Sequence, residues 1–147
     1  RIDDSFSERA QECDGGLLVA GENYGQGSSR EHAAMCPMYL GVEAVLAQSF
    51  ARIHKANLLN FGLVPLSIDK STYDRIDQGD EVEIIDDVKE GVESGQETFT
   101  IRVNDDWEAT VELHASDRER RILCAGGKLQ LTRQRYQDAR GETPADD

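Results

Sequence analysis

The sequence predicts an α/β protein built around short parallel strands. Its 147 residues suffice for one domain with a hydrophobic core. In the first half, three apolar runs are separated by segments with helix-start residues and closing glycines. That order, β-α-β-α-β, is typical of parallel strands with crossover helices. In the second half, apolar and polar residues alternate between turn residues, which predicts additional strands.

The first half begins with a short exposed helix, expected at residues 3–11, and a buried strand at 16–20 with the sequence GLLVA. A helix is expected from residue 29 to about residue 36. Pro37 does not continue a helix comfortably, so a second short turn is predicted to begin there. Gly41 is expected to end that turn, because glycine tolerates the left-handed backbone found after helices.

The next elements complete the parallel half. Residues 42–47 are small and β-branched, which predicts a strand. Ser49 is expected to cap a helix that ends at Gly62. A third strand is predicted at residues 63–68, with Pro65 near an end or an edge because proline cannot donate to a sheet ladder.

The second half is predicted from alternation and turn residues. The expected elements are a helical turn at residues 71–76, strands at 81–85, 97–103 and 107–114, a turn at Asp105 and Asp106, and a helix at 117–123 capped by Ser116. Residues 128–147 are polar and are expected to fray.

Composition excludes several classes of partner. The formal net charge is −13, which disfavours nucleic acid and anionic membrane surfaces because both require basic faces. The sequence contains no run of about 18 apolar residues, so no transmembrane helix is predicted. No signal peptide is recognised in it. Cys13, Cys36 and Cys124 are far apart, so no local metal or cluster ligand set is predicted. Isolated thiols, interpreted as small buried or half-buried side chains, favour a cytoplasmic location.

The most informative segment is YGQGSSREHAA at residues 24–34. A glycine-rich turn follows the first strand, and Ser28 and Glu31 fit a capping box at a helix N-terminus. Helix N-termini bind anions, and the Arg30 guanidinium binds carboxylate or phosphate groups in a bidentate manner. An ordinary helix start has the same pattern. However, Ser29 is a second adjacent hydroxyl, and a cation is disfavoured in a first helical turn, so the segment indicates an anion site.

Four segments together are similar to one protein family. The sequence GENYGQGSSREHAA, followed by PMYLGVEAV, SFARIHKANLLNFGLVPL and RILCAGGKL, resembles the C-terminal swivel domain of aconitases. The superfamily also includes homoaconitases and isopropylmalate isomerase small subunits. The likeness covers most of residues 16–129, and the form ARIHKANL looks closer to aconitases than to the isopropylmalate enzymes.

The resemblance implies a three-layer β/β/α swivelling domain, with a mostly parallel sheet plus a smaller β layer. It would occupy residues 1–128 as part of a larger enzyme, and residues 129–147 would form a polar tail. The implied activity is that of an aconitate hydratase of the tricarboxylic acid cycle, which interconverts citrate and isocitrate through cis-aconitate. The alternatives are a hydro-lyase acting on isopropylmalate, homoaconitate or methylcitrate, or a non-catalytic relative that binds a small carboxylate or RNA.

The resemblance also implies roles for residues. Ser28 would be the catalytic base, and Ser29 and Arg30 would bind the tricarboxylate substrate. The [4Fe-4S] cluster of the full enzyme would be ligated outside this chain, by cluster-bearing N-terminal domains in cis or by a separate subunit, and the isolated chain would be inactive. A family arginine that lies upstream of the serine motif has no match here that can be assigned.

Several other side chains could take part in chemistry but have structural explanations. Arg52 could reach the substrate, yet a structural ion pair or a contact with a carbonyl is more typical. Packing or hydrogen bonding is the favoured role of His54. His32 is expected to support the loop, His114 to face solvent and Trp107 to cover the sheet. The acidic run at residues 77–87 lacks the spacing of a calcium loop and is interpreted as a solvated face.

Overall fold

The computed structural model of the chain describes residues 5–12, 15–27 and 30–140. Seven helices and six strands lie within them. The helices are α1 (Phe6–Glu12), α2 (His32–Tyr39), α3 (Arg52–Asn60), α4 (Lys70–Tyr73), α5 (Val88–Ser94), α6 (Asp117–Cys124) and α7 (Lys128–Arg140). The strands are β1 (Gly16–Ala20), β2 (Val42–Ala47), β3 (Val64–Ser67), β4 (Val82–Ile84), β5 (Thr98–Val103) and β6 (Trp107–Glu112).

All described strands belong to one sheet, in the order β1-β2-β3-β6-β5-β4. Strands β1, β2 and β3 are parallel, and β6, β5 and β4 are antiparallel. The two halves meet where β3 and β6 run antiparallel at the pair Ser67 and Glu112. The predicted α/β class is confirmed, and the antiparallel half has three strands, as the parallel half does.

The parallel half is buried because helices cover it. Strand β2 lies between β1 and β3, and Glu43 is its one exposed residue. Val42 and Val45 of β2 pack with Ala34 of α2 and Leu58 of α3 in one apolar cluster. A strand in the middle of a parallel sheet is expected to be apolar along its length, which is why the predicted bounds of β2 match the observed ones.

The antiparallel half shows the alternation expected of a half-covered sheet. In β5, Phe99, Ile101 and Val103 are buried, and they join the larger apolar cluster of the chain. Asn104 and Asp105 have positive φ angles of 52° and 55°, as in the tight turns that connect antiparallel strands. The turn is therefore confirmed, one residue earlier than predicted.

Arg120 fastens α6 to the ends of the antiparallel strands. The side chain is buried, and its guanidinium donates to three backbone carbonyls: Nη1 to Gln96 at 2.8 Å, Nε to Ala115 at 3.2 Å and Nη2 to Leu113 at 3.5 Å. Buried carbonyls that lost these donors would be costly to leave unpaired. Nothing in the sequence singles out this arginine.

Helix α2 differs from its prediction at both ends. It begins at His32, with Glu31 as the N-cap residue and no side-chain hydrogen bond to the cap. The predicted helix start at residue 29 is therefore wrong, whereas the capping box of Ser28 and Glu31 lies partly outside the described residues. The helix also continues through Pro37 to Tyr39. Proline is tolerated there because the helix is short and ends within one turn of it.

Three more predictions need correction. Helix α3 begins at Arg52 rather than at Ser49, and helix α5 was missed. Lys128–Arg140, expected to fray, form helix α7, which has no buried residue. The domain boundary at residue 128 stays a prediction. No helix in the described part of the chain is long and apolar enough to cross a bilayer.

Candidate active site

The glycine-rich turn after β1 is hydrogen-bonded to the segment that connects β2 to α3. Tyr24 donates its backbone N–H to the Ser49 carbonyl and accepts from the Ala51 N–H, both at 2.9 Å. Ser49 Oγ accepts from the Asn23 N–H at 2.8 Å, so this serine caps the turn and not the helix. Tyr24 and Phe50 form a parallel bridge that extends the pairing of β1 with β2. The two loops therefore form one unit at the carboxyl ends of these strands.

Gly25 is required by its conformation and by its neighbour. Its φ angle of +84° lies in the left-handed region that favours glycine. A Cβ atom at this position would lie 2.1 Å from Cγ of His54. The turn can therefore lie against α3 only because position 25 has no side chain.

His54 forms the floor of the turn. Its side chain is 5% exposed, and the Tyr24 ring packs edge-on against it with ring centroids 5.0 Å apart. Burial lowers the pKa of His54 and raises the pKa of the Tyr24 phenol, so both groups are held neutral. Nε2 of His54 is buried and has no hydrogen-bond partner among the described residues. His54 therefore packs against Tyr24, as predicted, but its polar Nε2 atom is left unsatisfied by the described residues.

A cavity of about 280 Å³ opens between the turn and the N-terminus of α3. Its walls are residues 25–27 and 51–54. Ala51, the N-cap residue of α3, has no side chain that could accept a hydrogen bond from the first turn. Free N–H groups and the helix dipole favour an anion at such an end. The glycine-rich turn therefore lies beside the N-terminus of α3, whereas the sequence analysis expects an anion at the N-terminus of α2; anion binding stays a prediction.

The residues of the predicted site are only partly described. Ser28 and Ser29 lie outside the described residues, so their roles stay predictions. Arg30 is exposed, and its carbonyl accepts from the Ala33 N–H at 3.0 Å in the turn that leads into α2. It does not line the cavity, whereas Arg52 does. No ion pair joins Arg52 to another described residue, so the structural ion pair favoured by the sequence is not found there.

The acidic run of the second half has structural roles. Asp87 caps α5 by accepting from the Glu90 N–H at 2.9 Å, and Asp86 accepts from the Thr100 N–H. Asp80 accepts from the Asn104 side chain at 2.8 Å, which lowers the pKa of the Asp80 carboxyl. These hydrogen bonds stabilise turns and a helix cap. An N-cap aspartate followed three residues later by a glutamate, as in Asp87 and Glu90, is the sequence pattern by which α5 could have been predicted.

The remaining histidines and Trp107 lie outside the cavity. Nε2 of His114 lies 3.0 Å from Oε2 of Glu112 at the surface, and His32 is exposed at the start of α2. The Arg75 guanidinium lies 3.9 Å from the ring centre of Trp107, which is half-buried against the core. Trp107 therefore covers the sheet, as predicted.

The two described cysteines lie in different helices, Cys36 in α2 and Cys124 in α6. Cys36 is exposed, contrary to the buried role expected of it, and Cys124 is partly buried, which raises the pKa of its thiol. Cys13 lies outside the described residues. Among the described residues, no group of three or more histidine, cysteine or acidic side chains could hold a metal ion.

Comparison with known proteins identifies relatives of several lengths. The family model of the aconitase C-terminal domain matches residues 5–71. The methanogen homoaconitase small subunit of Methanocaldococcus jannaschii is 39% identical over 134 residues, 91% of this chain and 70% of that protein. The mitochondrial aconitate hydratase of Gracilaria gracilis is 49% identical over 70 residues, 47% of this chain. The chain spans only 9% of that enzyme's length.

A solved structure agrees over nearly the whole chain. The crystal structure of a 3-isopropylmalate dehydratase from Methanocaldococcus jannaschii matches with a TM-score of 0.72 and 36% identity. The match covers 95% of this chain and 75% of that one. The names of these relatives specify three different substrates, so the names alone leave the substrate open.

Proposed function

The chain belongs to the family of aconitase C-terminal domains and the related small subunits, and we propose that it is the substrate-closing part of a hydro-lyase. The substrate class that we favour is homoaconitate or isopropylmalate, and not citrate. One observation carries this choice. The match to a homoaconitase small subunit extends over 91% of the chain, whereas the aconitate hydratase match covers 47%.

The proposed reaction removes water from a hydroxy acid. Ser28, as its alkoxide, takes the proton from the carbon next to a carboxylate, and the carbon–oxygen bond of the neighbouring carbon breaks as the double bond forms. The hydroxyl leaves as hydroxide, which takes a proton from the solvent and becomes water. A serine hydroxyl is a weak acid, so it acts as a base only where positive potential stabilises its ionised form. The α3 N-terminus and the two arginines Arg30 and Arg52 support such a potential near the motif.

Ser29 and Arg30 make the remaining contacts with the substrate. A serine hydroxyl and a guanidinium can hold a substrate carboxylate by hydrogen bonds, and the guanidinium can do so with two parallel bonds. The exposed position of Arg30 supports this role, because its charged end is accessible to a ligand.

We propose that the partner is a separate large subunit that carries the [4Fe-4S] cluster. The homoaconitase relative is named as a small subunit, which supports a two-chain enzyme. The described residues of this chain do not fit the cluster, since they contain no suitable group of ligands. The net charge of −13 supports a partner other than nucleic acid.

An aconitate hydratase is the second candidate. The observation that favours it is the identity of 49% over the 70 residues shared with the algal enzyme, which exceeds the identity to the homoaconitase subunit.

Co-purification with the cluster-bearing subunit, followed by assays on 3-isopropylmalate, homoisocitrate and citrate, separates these candidates. We expect turnover only with both chains present, and a kcat/KM on citrate at least about tenfold below that on the preferred acid. Turnover of citrate as the best substrate would support the second candidate. Absence of turnover on all three acids by the intact complex would contradict the hydro-lyase proposal.

A further inference from the structure

Helix α7 carries a net positive charge, and none of its residues is buried. Its 13 residues, KLQLTRQRYQDAR, include four basic side chains and one acidic side chain, in a chain whose formal net charge is −13. An isolated helix of this length is marginally stable in water, because most helical stability in proteins comes from the packing of one face. Helix α7 therefore has a face that packing within the described part of the chain does not cover.

That face presents an aromatic ring beside a guanidinium. Tyr136 and Arg140 lie about one helical turn apart, and Nη1 of Arg140 donates to Oη of Tyr136 at 2.9 Å. The guanidinium carbon lies 5.4 Å from the centre of the Tyr136 ring. Tyr136 is 60% exposed, and Leu129, about two turns earlier on the same face, is 78% exposed. Tyrosine and arginine are enriched at protein–protein interfaces, so this face has the composition of an interface.

A second cavity, of about 420 Å³, lies at the amino ends of the parallel strands, opposite the candidate active site. Its walls are Met38, Gly126 and residues 41–43 and 61–64, which include the first residues of β2 and β3. Most of the side chains in these walls are apolar. Glu43 is exposed, and it is the one charged residue among the described residues that line the cavity.

Three helices end at this cavity and add to its negative potential. Gly41, Gly62 and Gly126 follow the C-cap residues of α2, α3 and α6, and all three glycines line the cavity. A helix C-terminus carries about half a negative charge. No lysine or arginine among the described lining residues offsets these charges. The cavity is therefore complementary to the exposed face of α7, since it has apolar walls for a ring and a negative potential for a guanidinium.

We propose that α7 of a second copy of this chain occupies the cavity, in a two-fold dimer in which both copies make the same contact. Helix α7 begins two residues after Gly126, so each helix starts beside the cavity of its own copy. Its 13 residues extend about 20 Å. In an antiparallel pair of these helices, Tyr136 and Arg140 of each copy lie beside the start of the other helix, and so at the other cavity. The two-fold axis makes the contact twice.

The dimer leaves the candidate active site accessible, because that site lies at the carboxyl ends of the strands. A second copy and a cluster-bearing subunit can therefore bind the chain at the same time. The inference does not depend on the proposed function.

The test is sedimentation equilibrium of the full chain over a range of micromolar concentrations. We expect a dimer, and we expect Tyr136→Ala to weaken it at least about tenfold, as for an aromatic residue at the centre of an interface. Arg140→Glu and Glu43→Arg should each weaken it to a similar extent, because each places like charges in contact. The variant with both charge reversals should recover most of the affinity.

Arg118→Glu is the matched control. It makes the same change of charge at an exposed arginine of α6 that does not line the cavity, so dimerisation should be unchanged. Glu43→Arg leaves α7 intact and tests the contact from the cavity side even where a change in α7 alters that helix.

A chain that stays monomeric at all concentrations would overturn the inference, including one whose α7 binds the cluster-bearing subunit instead. A dimer that Tyr136→Ala, Arg140→Glu and Glu43→Arg weaken no more than the control would also overturn it. A double reversal that dimerises more weakly than either single reversal would contradict the pairing of Arg140 with Glu43.

Discussion

At the scale of single residues, the contact between Gly25 and His54 decides how closely the motif approaches α3. The turn has a left-handed glycine at the point where its backbone meets the imidazole. The sequence indicates that Gly25 permits this conformation, but it does not show the partner, because residues 25 and 54 come together only through the pairing of β1 with β2.

Gly25→Ala should destabilise the chain by about 3 kcal/mol, since a left-handed alanine and an overpacked contact both contribute. Gly95→Ala is the matched control, because Gly95 has a φ angle of +87° and no atom within 4 Å of the added Cβ. It should cost only about 1 kcal/mol. Urea denaturation measures both. Equal losses in the two variants would show that the contact with His54 has no energetic weight.

The buried imidazole of His54 should make stability depend on pH. Burial lowers the pKa of His54 in the folded chain below its ordinary value of 6.5. As the pH falls through that ordinary value, the unfolded chain takes up a proton that the folded chain does not, so the free energy of unfolding decreases. The His54→Phe variant has no titratable group at this position, so it lacks this pH dependence of stability while keeping an aromatic ring.

The wild type should therefore lose more stability than His54→Phe when the pH is lowered from about 8 to about 5.5. Urea denaturation of both proteins at the two pH values provides the comparison, and the values at the higher pH serve as the baseline. An equal decrease in the free energy of unfolding of both proteins would contradict the assignment of this pH dependence to His54.

Arg52 and Ser49 show what sequence cannot supply at this scale. The type and position of each residue are compatible with several roles. Ser49 was expected to cap α3 and instead caps the turn before it, and Arg52 lines a cavity. Both roles depend on a loop that precedes them by more than twenty residues.

At the scale of elements, α6 is the helix that local sequence specifies most fully. Ser116 Oγ accepts from the Glu119 N–H, and the Glu119 carboxylate accepts from the Ser116 N–H at 2.8 Å. Both bonds follow from the S-x-x-E spacing alone. The predicted start of α6 is confirmed for this reason.

Ser116→Ala should reduce the free energy of unfolding by about 1 kcal/mol, because it removes the N-cap acceptor of α6. In the control Thr132→Ala, the lost hydroxyl donates to the Lys128 carbonyl inside the exposed helix α7. That change should stay within about 0.5 kcal/mol. Thermal denaturation of the two variants measures the difference. An effect of Ser116→Ala no larger than that of the control would show that the cap does not stabilise the fold.

Helix α5 was missed because its sequence contains a glycine, which lowers helix propensity. Gly91 is buried in this helix, and an added Cβ would lie 2.5 Å from Cε1 of Phe99 in β5. Close packing between α5 and the sheet thus explains a residue that local propensity disfavours. A contact between elements determined this helix, and a single sequence does not reveal such a contact.

At the scale of the whole molecule, the two halves of the sheet differ in how well sequence predicts them. The parallel half follows from the β-α-β-α-β order, because short crossovers leave few alternatives for pairing. The antiparallel half was predicted as separate strands, but the junction of β3 with β6 was not. That junction is the single pair Ser67 and Glu112, which brings together residues far apart in sequence.

The candidate site also combines a part that the sequence predicts with a part that only the fold reveals. The sequence motif pointed to the turn that lies beside the cavity, because glycine, serine and arginine each carry local chemistry. The cavity beside the turn could not be predicted, since its second wall is α3. The candidate site therefore combines a motif that is visible in the sequence with the N-terminus of α3, which the fold places beside it.

The most direct test of this account is the turnover of Ser28→Ala in the complex with the cluster-bearing subunit. Removal of a general base should lower kcat on the preferred acid by about a hundredfold or more, with little change in substrate affinity. Ser71→Ala, at a serine outside the motif, should retain full activity. A Ser28→Ala complex with nearly wild-type kcat would contradict the claim that this segment removes the proton.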